Sequence, residues 1–127
     1  MNICVIGSLR DGERIQEIAR ELKSKGHSVH TPIDQSEARF ADRVQAKHDF
    51  MKGMFDQIKN CEAVLAVKDS DRGGMHGYIG PNTFLQLGMA MALSKPLFCL
   101  AKWDERLPYA EELNAMGINL LNIKLPF

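Results

Sequence analysis

Two stretches of the chain combine residue types that can act on a small polar ligand. The first, Gly7-Ser8-Leu9-Arg10-Asp11-Gly12, follows the apolar run 2–6 and precedes Ile15, Ile18, Ala19 and Leu22, which recur at helical spacing. A glycine turn that opens a helix gathers unpaired backbone amides, the helix dipole, a hydroxyl and a guanidinium around one point, a setting suited to a phosphate. It is neither a Walker sequence nor a G-x-G-x-x-G fingerprint, so on spacing alone a plain tight turn accounts for it as well as a phosphate cradle does.

The second stretch runs from Gly77 to Gly88, where polar Asn82, Thr83 and Gln86 interrupt an otherwise apolar helix start. Polar groups buried in such a place need partners. Either Asn82 or Thr83 caps the helix while Gln86 reaches back as in a capping box, or the three face a ligand together with Gly80 and Tyr78. Three polar residues so close together favour the ligand. Tyr78, and Trp103 farther on, are planar side chains able to stack on a base, although each also suits a core. Lys102 and Arg106 flank Trp103 and could neutralise a phosphate or simply be solvated.

The elements that must position these residues follow from periodicity. Apolar runs at 2–6, 28–32, 63–67, 97–101 and 118–123 read as strands, and 11–25, 44–60, 81–94 and 109–116 read as helices. Residues 34–42 and the glycine-rich 69–80 read as loops. Ala-Val-Leu-Ala-Val at 63–67 is apolar throughout, as a central parallel strand covered on both faces should be. Strands alternating with helices predict an α/β doubly wound (flavodoxin-like) five-stranded parallel sheet of order 2-1-3-4-5, with helices on both faces and the ligand crevice at the strands' carboxyl ends.

Bulk composition narrows the partners. At 127 residues the chain suits one domain spanning 1–127, and 16 basic residues balance 16 acidic ones. A neutral domain lacks the electrostatic footprint for polymeric nucleic acid or an anionic membrane. No apolar stretch has the length of a signal peptide core or a membrane span, so the expected location is cytoplasmic. Cys4, Cys61 and Cys99 lie far apart and read as reduced, buried thiols. With His27, His30, His48 and His76 they form no ligand spacing, so neither a metal nor any other cofactor is expected.

Thr83, two residues, Gln86, one residue, Gly88, then small and apolar residues to Lys95-Pro96 resemble the nucleoside 2-deoxyribosyltransferase family and its nucleoside 5'-monophosphate N-glycosidase relatives. Gly7-Ser8-Leu9-Arg10 looks like the first-strand turn of those N-glycosidases, and 58–67 looks like the family's helix leading into its third strand. The resemblance implies hydrolase or transferase chemistry at the N-glycosidic bond of a nucleoside or 5'-monophosphate, with Ser8 and Arg10 at the phosphate, and a homo-oligomer. It also implies a nucleophilic glutamate where this sequence has Gln86, and an amide cannot form the same glycosyl intermediate.

Three explanations of Gln86 stay open: a member with lost or altered chemistry, a substitution made to trap substrate, or another carboxylate in its place. The nearest carboxylates are Asp69 and Asp71. The family's sugar-binding aspartate aligns at Met54, with Asp56 two residues away and so turned by about 200° on a helix. A non-catalytic nucleotide-binding or sensing domain is the rival reading, and a flavodoxin-like domain for another small anion is a third. The apolar helix 81–94 is expected to mediate self-association.

Overall fold

The structure is a computed structural model that describes residues 1–32, 43–67, 71 and 74–121. Five strands alternate with four helices: β1 (Asn2–Ile6), α1 (Gly12–Ser24), β2 (Ser28–His30), α2 (Arg43–Asn60), β3 (Ala63–Ala66), α3 (Pro81–Ala92), β4 (Leu97–Cys99), α4 (Ala110–Ala115) and β5 (Asn119–Leu120). A short 3-10 turn, Leu9–Asp11, precedes α1. The strands form one parallel sheet, as their alternation with helices predicts, and it has the expected order β2-β1-β3-β4-β5.

Burial on both faces follows from the period-two geometry of a strand. On β1, Ile3 and Val5 point to the face covered by Ile15, Ile18 and Leu22 of α1. Cys4 and Ile6 point to the opposite face, where α2 contributes Met54 and Ile58, α3 contributes Leu87 and Ala90, and α4 contributes Ala110 and Leu113. On β3, Leu65 and Val67 join the first cluster and Val64 and Ala66 the second. This is why the 63–67 run is apolar without alternation.

Several elements are shorter than the apolar runs that announce them. β2 ends at His30 although Thr31 and Pro32 remain buried, and β4 ends at Cys99 although Leu100 still donates to Ala66 O at 3.2 Å. Burial keeps a run apolar past the point where the ladder stops. α3 stops at Ala92 rather than Ser94, because Ser94 takes a left-handed conformation (φ 57°) that ends the helical hydrogen bonding. Lys95 then folds back, its Nζ donating to Lys59 O at 3.0 Å and Cys61 O at 2.8 Å, which ties the end of α3 to the end of α2. The expected loop 34–42 and residues 122–123 of the expected fifth strand lie outside the described residues.

Candidate ligand site at the carboxyl edge

β1 and β3 are neighbours, yet the chain leaves β1 toward α1 on one face and leaves β3 toward α3 on the other. Such a divergence opens a crevice at the carboxyl ends of the two strands. Gly7 and Ser8 lie at its β1 side. A Cβ on Gly7 would stand 3.2 Å from Val67 O and 3.3 Å from Ile15 Cδ1, so glycine lets this turn lie against the end of β3. Ser8 caps the following 3-10 turn, its Oγ accepting from Arg10 N at 3.2 Å. The Arg10 side chain is exposed and forms no ion pair among the described residues.

α3 supplies the other side. Its buried residues are Thr83, Gln86, Leu87 and Ala90, one stripe at helical spacing. The lower half of the stripe, Leu87 and Ala90, packs into the core. The upper half nearest the carboxyl edge is polar, with Thr83 2% and Gln86 3% exposed. Among the described residues, neither the Gln86 amide nor the Thr83 hydroxyl has a hydrogen-bond partner. Neither is among the side-chain atoms wholly sealed from solvent without a partner, so both keep a little exposure to solvent.

The capping alternative does not hold. Gly80 is the N-cap of α3, no side chain caps it, Pro81 follows, and Gly80 O accepts from Phe84 N at 3.0 Å. Asn82, half-buried in the first turn, and Thr83 therefore do not close the helix, and Gln86 does not reach back. An unpaired amide and hydroxyl in so dry a place are available to a ligand.

Other residues singled out from sequence are committed elsewhere. Trp103 is 4% exposed in the core, its Nε1 donates to Asn114 Oδ1 at 3.0 Å, and Lys102 Nζ lies 4.5 Å over its ring. It has no face to offer a base. Lys102 pairs with Glu105 (3.1 Å) and Asn114 (3.2 Å). Arg106 chelates Asp104 through Nε and Nη2 and also donates to Gly74 O at 2.9 Å. Hydrogen bonds from Arg106 hold the Asp104 carboxyl down at about 2. These cations balance a local turn rather than a phosphate.

Tyr78 is half-buried against the core, with Gly80 buried beside it at the start of α3. Asp71 is exposed and its carboxylate bonds His76 Nδ1 at 2.7 Å, while Asp69 lies outside the described residues. Asp56 is on the solvent side of α2, and Met54 is fully buried in the core. α2 thus brings no carboxylate to the crevice from either position. Cys4, Cys61 and Cys99 are buried thiols outside any disulfide, and burial pushes the Cys4 thiol up to about 12, the opposite of what a nucleophilic thiol needs. No helix among the described residues is long and apolar enough to cross a membrane.

Periodicity gave no sign of the contacts that hold the glycine-rich loop. Gly77 has φ +83°, and a Cβ there would lie 2.5 Å from Lys102 O. Asp104 N donates to Gly77 O at 3.0 Å, and the Tyr109 hydroxyl donates to Ile79 O. The several glycines between Asp69 and Gly80 were the available signal, pointing to close backbone approach as much as to a turn.

Comparison with known proteins agrees with this architecture. No curated protein matches the sequence. Among solved structures, a 2-deoxyribosyltransferase from Bacillus psychrosaccharolyticus superposes with a TM-score of 0.60 at 17% identity, over 79% of this chain and 72% of that one. The CMP N-glycosidase of Clostridium botulinum gives 0.58 at 18% identity, over 94% and 87%. At these identities the likeness is one of fold. The family model for nucleoside 2-deoxyribosyltransferase matches residues 7–121, which include both the Gly7-Ser8 turn and the Thr83–Gln86 stripe. The chain belongs to the nucleoside 2-deoxyribosyltransferase family.

Proposed function

We propose that this chain, as one domain over 1–127, binds a nucleoside or nucleoside 5'-monophosphate in the crevice between β1 and α3. Its chemistry is of the N-glycosidic type, with Gln86 at the position of the family's nucleophile. The observation that carries this reading is the Gln86 amide, 3% exposed and without a hydrogen-bond partner among the described residues. An amide so placed fits against a sugar hydroxyl, accepting with Oε1 or donating with Nε2. Thr83, Asn82 and Gly80 would lie beside the sugar, with Tyr78 toward the base. Gly7, Ser8 and Arg10 would take the 5'-phosphate, where the amides of the turn and the exposed guanidinium supply charge-assisted contacts.

The same amide predicts weak chemistry. It lacks the anion that attacks, or stabilises, an oxocarbenium-like centre, so binding and bond cleavage come apart. The test is a panel of nucleosides and 5'-monophosphates, with binding followed by calorimetry and released base by chromatography, on the parent and on Gln86→Glu. The expected result is tight binding with slow release by the parent and a gain of several orders of magnitude from the substitution. Binding by both proteins without any gain would select the rival reading, a non-catalytic nucleotide-binding domain. Absence of binding would sink both.

Self-association through α3 is part of the proposal. Leu85 (49%), Met91 (50%) and Leu93 (40%) stay exposed along its outer side, and a Cβ on Gly88 would meet nothing within 4 Å. A face this apolar fits a second copy of the same helix. Sedimentation at micromolar concentration should show a species heavier than the 14.3 kDa chain.

A further inference from the structure

The geometry points to Tyr109 as a positioning residue for the ligand site, an inference that rests on the function proposed above. Tyr109 immediately precedes α4, distant in sequence from α3, yet it grips the first turn of α3 from two sides. Its hydroxyl donates to the carbonyl of Ile79, the residue before the N-cap Gly80. Its ring stacks on Phe84, with centroids 4.5 Å apart and planes 25° from parallel. Phe84 N in turn donates to Gly80 O at 3.0 Å, so one side chain spans the turn that carries Asn82 and Thr83 and leads into Gln86.

The restraint matters because this turn lacks the usual one. The first amides of any helix have no intrahelical partners, and here the N-cap is glycine with no side-chain cap. The side chains of Thr83 and Gln86 also have no hydrogen bonds among the described residues to aim them. Their direction therefore follows the helix backbone and its packing, and Tyr109 ties down the first turn of that backbone. Behind it, Arg106 and Asp104 hold Gly74 and Gly77, so the loop entering α3 is docked on the same segment. A binding group must be held closely to its productive geometry by neighbours that are themselves locked.

The test is a double-mutant cycle on affinity, using the ribo- and deoxyribonucleoside 5'-monophosphates of the common bases and following the tightest binder. Tyr109→Phe keeps the ring stack and removes only the hydroxyl, and it should weaken binding about ten-fold, as should Gln86→Ala. If Tyr109 acts through the aim of Gln86, the double variant loses little more than either single one, rather than the roughly hundred-fold product expected of independent effects. A purely structural role leaves the losses multiplicative. Arg106→Met, at an exposed position, carries the same cycle should Tyr109→Phe fold poorly, with the same coupling expected. Multiplicative losses, or full affinity in Tyr109→Phe, overturn the positioning role and leave the proposed function standing, whereas a parent that binds none of the monophosphates overturns both.

Discussion

Two neighbouring stretches on the α2–α4 side of the sheet carry conspicuous polar groups and treat them in opposite ways. Between Lys102 and Asn114 every conspicuous group is matched: Trp103 with Asn114, Lys102 with Glu105, Arg106 with Asp104 and Gly74. On α3, Thr83 and Gln86 are as deeply buried as Trp103 and matched with nothing among the described residues. Folding favours the first arrangement, because a buried group without a partner loses its water and gains nothing. Residue type therefore does not mark a site. Arginine, lysine and tryptophan are the commoner binding residues, yet here they build the support, and a glutamine and a threonine are left open.

The largest expected effect tests the supported stretch. Trp103→Ala removes a core side chain and should lower stability by about 3 to 5 kcal/mol in urea unfolding. Trp103→Phe, which keeps most of the volume, should leave nucleotide affinity unchanged. A large affinity loss in Trp103→Phe without a stability loss would make Trp103 a ligand contact and break the contrast.

Next comes the phosphate side. Arg10→Ala should weaken 5'-monophosphate binding by about 1.5 to 3 kcal/mol, ten-fold or more, and leave the matching nucleoside unaffected. Equal losses for both ligands in calorimetric titration would move the phosphate away from the β1 turn.

A smaller effect of opposite sign belongs to the open stretch. Gln86→Leu fills the same space without an unpaired amide, so it should raise stability by about 1 kcal/mol while weakening ligand binding about ten-fold. Destabilisation would mean that the amide is satisfied within the fold and would remove the main support for the site.

The smallest effect separates the two stretches by pH. The Asp104 carboxyl is held at about 2 in the fold against 3.8 as an ordinary value, chiefly by hydrogen bonds from Arg106. A depressed carboxylate contributes stability that is full above the unfolded value and lost as pH falls through the folded one. The Arg106 grip on Gly74 should thus weaken between about pH 4 and about pH 2, and Asp104→Asn should flatten that part of the stability profile. Gln86 has no charge to titrate, so its substitution should not alter the profile's shape.

Some of this could be read from the chain before folding. The alternation of strands with helices, the two-faced burial of 63–67 and the stripe containing Leu87 and Ala90 all follow from periods that a linear sequence displays. The polar break at Asn82, Thr83 and Gln86 was visible for the same reason, as a departure from an apolar period. Trp103, Lys102 and Arg106 resisted reading because a cation or an aromatic ring looks alike whether it faces a ligand or a partner. Their partners Asn114, Asp104 and Gly74 are matched only by the turn that folds them together. Likewise the outward position of Asp56 rests on the phase of α2, which the inward-facing Met54 and Ile58 set.

By itself the sequence determined the parallel α/β architecture and the two segments at which a ligand could be met, since hydrophobic period and glycine placement are local properties that fix elements and their ends. Tertiary structure alone decided which polar groups are left over. Whether the amide of Gln86 is spent on a cap, and whether the guanidinium of Arg106 is spent on Asp104, depends on which atoms are brought within hydrogen-bond reach. Hydrogen bonds are short and directional, so that outcome is set by the three-dimensional arrangement of distant segments and has no period in the chain.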